Sequence, residues 1–434
     1  MKNLILTLIA SAAIGTASAA GPWTLDSCIS YALEHNISVR QQALQTEAAR
    51  LDVTSARDAF LPTVSASASE AFNFGRGLNS ENIYVDRNSS TFQWGVSAQV
   101  PLFQGLENVR RLRYSRASLE QTLLEYDAAR DDVALRVITQ YLQTLYARQV
   151  VVAARASQQY SAYAVERQRT LVSEGKVAEA DLYDAEAQLA QDDLQVVASE
   201  GDAREQLITL ANLLQLPDAT GFDIADLADT TALIPSGEQV WDDASRRDPS
   251  LLAARQRITA AGLNIDVARS GYLPRLSFGI STGSSFYRIN GMPNEPFGRQ
   301  MRNNYSTYLG FTLTVPIFDA FSTRNAVRRA RLQRLEAELE LDNRETALRT
   351  NIRLAETRAL SARSRYLASD SALEATRKSF DAVNGKYQLG RATPWEFEQA
   401  KTNLFRTEVS RIEALCEFIL RSRILIFYQH LTAY

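Results

Sequence analysis

Histidine, cysteine, methionine and lysine are all scarce in this chain. Among 434 residues there are 2 His, 2 Cys and 3 Met, and five of the 47 basic residues are Lys, so that 42 are Arg. Zinc and iron–sulfur centres need about four soft ligands. Such sites are close to excluded, although a carboxylate-only metal site is not, and no cofactor is expected. The sequence has no Gly-rich phosphate loop, no nucleophile elbow and no His–carboxylate constellation; His35 and His430 stand alone. Nothing reads as an enzyme. A net charge of −3 offers no general attraction for nucleic acid. Beyond the first residues, no apolar run approaches the roughly 20 residues of a membrane helix. With 19 Gly and 11 Pro, the composition is that of long helices with few turns, although length alone would allow two or three domains.

The beginning of the chain has Lys2, an apolar run over 4–14 and then Ala17-Ser18-Ala19. This is the pattern of a signal peptide, expected over 1–19. Cys28 follows Leu25-Asp26-Ser27 and is not at the cleavage point, so lipid anchoring there is not supported.

The rest is written twice. Phe60-Leu61-Pro62 returns as Tyr272-Leu273-Pro274, and Val100-Pro101-Leu102-Phe103 as Val315-Pro316-Ile317-Phe318. Gly175-Lys176 with Asp181-Leu182 returns as Gly390-Arg391 with Glu396-Phe397. The offsets are 212, 215 and 215 residues. This predicts one repeat over 20–215, a linker over 216–238 and a second repeat over 239–434. The linker acids Asp218, Asp223, Asp226 and Asp229 lack calcium-loop spacing and read as a solvated loop.

In each copy a helix precedes the hairpin, over 23–58 in the first, with Thr24 or Asp26 as N-cap. From about 105 to about 172 there is no Pro or Gly, and Leu135, Ile138, Leu142, Leu145 and Val152 recur at 3/4 spacing. Leu348, Ile352, Ala355, Ala359, Ala362, Tyr366 and Leu373 continue the period in the second copy, a coiled-coil signature. About 68 residues make a helix ~100 Å long. The helices before the hairpin and after Gly175 are each about half that length, which predicts one long helix packed against two stacked half-length helices in each copy.

Four strands are expected, at about 62–75, 90–102, 274–287 and 305–317. Val64, Ala66 and Ala68 alternate with serines. Phe92, Trp94, Val96, Ala98 and Val100 alternate with Thr, Gln, Gly and Ser, and the second copy repeats the pattern. Period two marks strands with one apolar and one small polar face. Their length, their lack of Lys and the aromatics near their ends favour a transmembrane barrel, with polar tips at about 75–90 and 288–304. Lipid cannot satisfy an open strand edge, so other copies must close the sheet. Two chains give eight strands and a filled barrel, whereas three give twelve and a lumen. Small inward residues favour the trimer. A periplasmic coiled-coil scaffold is the alternative, but it leaves the alternating strands without a purpose.

The duplicated helix–hairpin–helix unit, the prolines Pro62, Pro101, Pro274 and Pro316 at strand–helix junctions, and the turns 175–182 and 387–397 together resemble the TolC family of outer-membrane ducts. The resemblance covers essentially the whole mature chain. It implies a mainly α homotrimer, with a 12-stranded transmembrane β-barrel continued by a long α-helical barrel in the periplasm. It also implies a periplasmic adaptor and an inner-membrane pump of RND or ABC type as partners, outer-membrane lipid around the barrel, and passive export of substrates whose identity lies with the pump. The turns at Gly175 and Gly390 become the periplasmic tip. By the same resemblance Glu396 and Gln399 match acidic aperture positions, Gln399 being an amide. Tyr387 and Asp181 match a closing lock whose Arg is Ala392 here, with Arg391 as the neighbouring substitute.

Two further expectations come from the residues. Arg110, Arg111, Arg113 and Arg116, with Arg324, Arg328, Arg329 and Arg331, crowd helix starts where the macrodipole disfavours cations, which leaves lipid headgroups or interhelical acids as partners. Cys28 and Cys416 fall too far apart along the helices for a disulfide and are expected as buried thiols.

Overall fold

The computed structural model describes residues 22–78, 82–86, 88–218, 221–226 and 234–429. The expected signal peptide, Asp229 and His430 lie outside the described residues. The chain divides into two compact units. One holds the described residues up to Gln41, Asp127–Asp248 and those from Ala347 onward; the other holds Gln42–Tyr126 and Pro249–Thr346.

The first helix, α1 (Leu25–His35), starts at Thr24, whose Oγ1 accepts the Ser27 N–H at 3.3 Å. The sequence predicts one helix over 23–58. Instead, Asn36 takes an extended conformation (φ −62°, ψ 131°) and α2 (Ile37–Asp58) begins afresh. The Asn36 side chain accounts for the break. Its Oδ1 accepts the Ser38 N–H at 2.9 Å and its Nδ2 donates to the Leu213 carbonyl at 3.0 Å, an Asx cap that competes with helix continuation. Asp248 breaks the second copy at the same place, 212 residues on, between α5 (Gly237–Arg247) and α6 (Pro249–Arg269). There Pro249 disfavours a helical conformation in the residue before it.

The long helices α3 (Glu107–Ser173) and α8 (Ser322–Gln388) have 67 residues each, and the helices that follow them, α4 (Glu179–Leu213) and α9 (Pro394–Gln429), have 35 and 36. In the first unit the predicted 3/4 positions Ile138, Leu142 and Leu145 on α3, and Ile352, Ala355, Ala359 and Ala362 on α8, are buried, whereas Val152, expected in the same ladder, is exposed. Cys28 and Cys416 are buried and unbridged, and burial pushes their thiols up to about 12 and about 11.

The linker departs from the expected solvated loop. Ile224 bridges to Trp23 in parallel, with Trp23 N–H donating to the Asp223 carbonyl at 2.8 Å and Ala225 N–H to the Trp23 carbonyl at 2.9 Å. The buried Tyr141 hydroxyl donates to the Ala225 carbonyl at 2.6 Å. Phe222 and Ile224 are buried, and Asp223 pairs with Arg148 at 3.2 Å. Two apolar side chains within the acidic run pull it onto the bundle, and the acids at its edge find partners on α3.

The second unit carries the sheet, in the order β1 (Thr63–Asn73), β4 (Ser89–Gln104), β5 (Arg275–Ile289), β6 (Ser306–Thr314), all neighbours antiparallel. The register aligns one face throughout. Ala66, Val96 and Thr282 share a rung, as do Val64, Ala98, Ile280 and Leu309, and as do Val100, Phe278 and Phe311. The opposite face aligns Ser65, Ser97, Ser281 and Tyr308, then Gln99, Gly279 and Gly310. β1 and β6 are edges, β1 exposed along all 11 residues. Val64, Leu309, Phe311 and Leu313 are 60–70% exposed (68, 61, 70 and 63%).

Three details differ from the sequence reading. Pro62 and Pro274 stand just before β1 and β5 and Pro316 lies past β6, but Pro101 is inside β4, at a bulge before Phe103. A bulge tolerates the missing donor. The first tip contains a small hairpin, β2 (Arg76–Leu78) with β3 (Tyr84–Asp86), and the second a helix, α7 (Phe297–Asn303). Some of the crowded arginines are engaged within the chain. Arg110 donates to the Asp266 carbonyl at 2.9 Å and Ser270 Oγ at 3.1 Å near the end of α6, and Arg111 pairs with Glu107 at 3.1 Å.

Candidate functional site

The helix-turn end of the first unit brings several predicted residues together. Each long helix stops at a glycine in the left-handed region, Gly175 (φ 70°) and Gly390 (φ 72°). The Lys176 N–H donates to the Leu171 carbonyl at 2.9 Å and Gly175 N–H to the Val172 carbonyl at 2.9 Å. Arg391 and Gly390 repeat both bonds with Lys386 and Tyr387, at 2.8 and 3.0 Å. These are paired Schellman turns, which satisfy the last carbonyls of the helix and favour glycine at that place. At Gly175 an added Cβ would meet nothing within 4 Å, so the backbone conformation alone favours glycine there.

Tyr387, one turn before Gly390, is buried. Its ring stacks on Phe397 at 4.5 Å in a cluster with Phe380, Ala164 and Leu404. Its hydroxyl accepts from Gln168 Nε2 at 3.3 Å, and the Arg167 guanidinium lies 4.8 Å from its ring centre. Arg167 also donates to the Gln388 carbonyl at 2.9 Å, placing a cation at the negative end of α8. Burial raises the Tyr387 hydroxyl pKa, and Arg167 opposes that rise. Asp181 is half-buried. It lines the same pocket of about 370 Å³ as Tyr387, Trp395, Phe397 and Glu398, yet no hydrogen bond joins it to Tyr387 or Arg391 among the described residues. The Arg391 side chain is exposed, and the arginine that meets Tyr387 is Arg167, on α3, which sequence reasoning missed.

Glu396 and Gln399 are exposed on the first turns of α9. Glu396 Oε2 accepts from the Thr393 N–H at 2.7 Å and its hydroxyl at 2.9 Å, while Glu396 N–H donates to Thr393 Oγ1 at 3.2 Å. This is a reciprocal capping box with Pro394 at the first helical position. The bonds from Thr393 hold the Glu396 carboxyl below the usual carboxylate range. The pattern Thr393-Pro394-Trp395-Glu396 spells a helix start, a signal that the reading of the sequence did not use.

Below the tip, Lys401 of α9 has a side chain only 1% exposed, between Asp192 of α4 at 2.6 Å and Glu398 at 2.7 Å. It also donates to Ser161 of α3, whose hydroxyl donates to Asp192 at 2.5 Å. Burial raises the Glu398 pKa, with Lys401 pulling against it.

Comparisons with known proteins agree on the kind of molecule. The profile of the family described as outer membrane efflux protein matches residues 28–215 and 240–417. The chain is 25% identical over 430 residues to the outer membrane protein TolC of Vibrio cholerae, covering 97% of this chain and 93% of that one. It is 24% identical over 374 residues to the alkaline protease secretion protein AprF of Pseudomonas aeruginosa, covering 81% and 74%. Among solved structures it is similar in fold to the Campylobacter jejuni CmeC outer membrane channel, with a TM-score of 0.77 at 18% identity over 93% of this chain and 85% of that one. The chain belongs to the outer membrane efflux protein family.

Proposed function

We propose that three copies of this chain close a twelve-stranded barrel in the outer membrane, continue it as a helical barrel in the periplasm, and serve as the exit duct for a periplasmic adaptor and an inner-membrane pump. The observation that carries this reading is the four-stranded sheet, with a mainly apolar face interrupted at Glu70 and at Thr282 with Thr307, an opposite face mostly of small polar residues that reaches Tyr308 at its edge, and two edges that no strand of the chain covers among the described residues. An open edge in lipid costs several kcal/mol per unsatisfied group, and twelve strands leave a lumen. Exposed apolar side chains at heptad spacing support the same assembly: Leu44 and Leu51 on α2, Leu332 and Leu339 on α8, and Leu194 with Ile208 on α4 are 54–70% exposed (70, 66, 67, 62, 70 and 54%). A second copy would cover them as coiled-coil seams.

In this reading the repeats 20–215 and 239–434 are the two halves of a protomer. Gly175 and Gly390 mark the periplasmic end, Glu396 with Gln399 faces the aperture as a ring favouring cations, and Tyr387, Asp181 and Arg391 surround the closed tip. The cargo, whether small molecules or protein, is set by the pump. Fractionation followed by light scattering in detergent tests the assembly. An outer-membrane species of three protomers that conducts in planar bilayers is expected, and a soluble monomer or dimer would return the chain to the scaffold reading.

A further inference from the structure

We propose that α7 and the adjoining end of β5 hold phosphate groups of the outer-leaflet lipid, through Arg288, Arg299 and Arg302. This rests on the reading that the apolar face of the sheet lies in the outer membrane with its tips outside. β6 begins at Ser306, opposite Gly283, so β5 runs on to Ile289 with no strand on that side. The short helix takes the place of a strand there. Gln300 Oε1 accepts the Tyr287 N–H and Gln300 Nε2 donates to the Tyr287 carbonyl, both at 3.0 Å, reproducing the bond pair of an antiparallel partner. Asn304 donates to the Ser285 carbonyl at 2.7 Å, and Ser284 Oγ to the Met301 carbonyl at 2.7 Å.

The contacts from α7 therefore come from 297, 300, 301 and 304, one face at helical spacing. The Phe297 ring packs against Phe92 and Phe286, at 6.0 and 5.2 Å, which lie on the apolar face of the sheet. Its other side is open, with 52% of the residue exposed. A half-covered aromatic continuing an apolar belt belongs at the boundary of hydrocarbon and headgroups. Arg299 and Arg302 are on the opposite stripe of the helix. Arg288 follows Phe286 on the same face of β5, one step further out, and all three are exposed. From that level a long Arg stem lies along apolar surface while its guanidinium reaches the headgroups, and its planar fork matches phosphate oxygens two at a time. Among the described residues the acids at this end are Glu295, paired with Arg299 at 2.8 Å in an exposed bridge, Glu70, across from Phe92 on β1, and Asp86 of the first tip, 3.7 Å from Arg76. Among the described residues four cations, Arg76 included, against three carboxylates leave a net positive rim, and an exposed ion pair yields readily to a phosphate.

The test uses the full chain purified in detergent, with bisphosphorylated lipid A and its dephosphorylated counterpart as probes in native mass spectrometry. The wild type is expected to hold the phosphorylated lipid at least tenfold more tightly. Arg288→Gln, Arg299→Gln and Arg302→Gln together should abolish that preference while the protein still fractionates as an outer-membrane trimer. The single variants, each at an exposed side chain, should lose it stepwise. A preference that survives in the triple variant overturns the proposal, as does displacement of the lipid by millimolar inorganic phosphate, which would mark a site for a free anion. Failure of the wild type to reach the outer membrane would instead overturn the duct reading, and this proposal with it.

Discussion

Lys401 is enclosed so fully that its charge is tolerable only because Asp192 and Glu398 lie within 2.7 Å. Removing one partner from a buried ion pair leaves uncompensated charge, at a cost of about 3–5 kcal/mol. Lys401→Met is therefore expected to lower the unfolding temperature strongly at pH 7.5. The loss should be smaller at pH 5, because Glu398, already raised by burial, takes up a proton once its cation is gone. An equal loss at both pH values would contradict this. Asp131 on α3 gives the opposite case. Its Oδ2 is buried without a hydrogen bond, and its pKa is pushed up to about 7, first by burial and then by Asp248 and Asp127, with Arg130 opposing. An acid raised above its unfolded value destabilises the fold increasingly as pH climbs from about 4 toward 7. Asp131→Asn should raise the unfolding temperature by ~2–4 °C at pH 8, and the gain should vanish near pH 4. Neither residue could be singled out from the sequence. A burial partner such as Asp192, five helices earlier in the chain, leaves no local pattern, and an acid on a solvated face has the same spelling as one turned inward.

The helices and their ends were far more legible than those single sites. Absence of Pro and Gly with a 3/4 apolar period marked α3 within two residues at either end. The glycines at 175 and 390 marked the turns because a left-handed residue closing a Schellman bond is a local requirement. The break at Asn36 escaped because an Asx cap inside a helix needs a distant carbonyl, that of Leu213, to become favourable. At the start of α9, Glu396 both closes the capping box and stands where an aperture ring is proposed, and the two roles can be separated. Thr393→Ala should cost about 1 kcal/mol of stability and leave the ion preference in planar bilayers unchanged. Glu396→Ala should cost a similar amount and also reduce cation selectivity or raise conductance. An unchanged ion preference in the second variant would remove the ring while leaving the cap intact.

For the whole molecule, the strand alternation was readable because one rung fixes the next, and the register carries the apolar face across all four strands. The helix in the second tip was not, since α7 is held by contacts back onto β5 rather than by any period of its own. The exposed leucines of α2 bear directly on assembly. Leu44→Lys with Leu51→Lys buries two charges in any helix seam that forms there. It is expected to abolish the band of the proposed trimer in unheated electrophoresis, and an oligomer band unchanged from wild type would show that α2 faces solvent.

The matched 67-residue lengths of α3 and α8 also constrain how such a chain can change over generations. Deleting seven residues from α3 alone would leave it ~10 Å shorter than its counterpart, and deleting one would rotate everything beyond it by about 100°. Viable length changes in the helices must then arise in both copies together, in steps that preserve the heptad. The three-residue difference between the copies falls between Pro62 and Val100 in one and Pro274 and Val315 in the other, in the strand-and-tip segment, where an insertion alters the tip and leaves the gauge of the helices untouched.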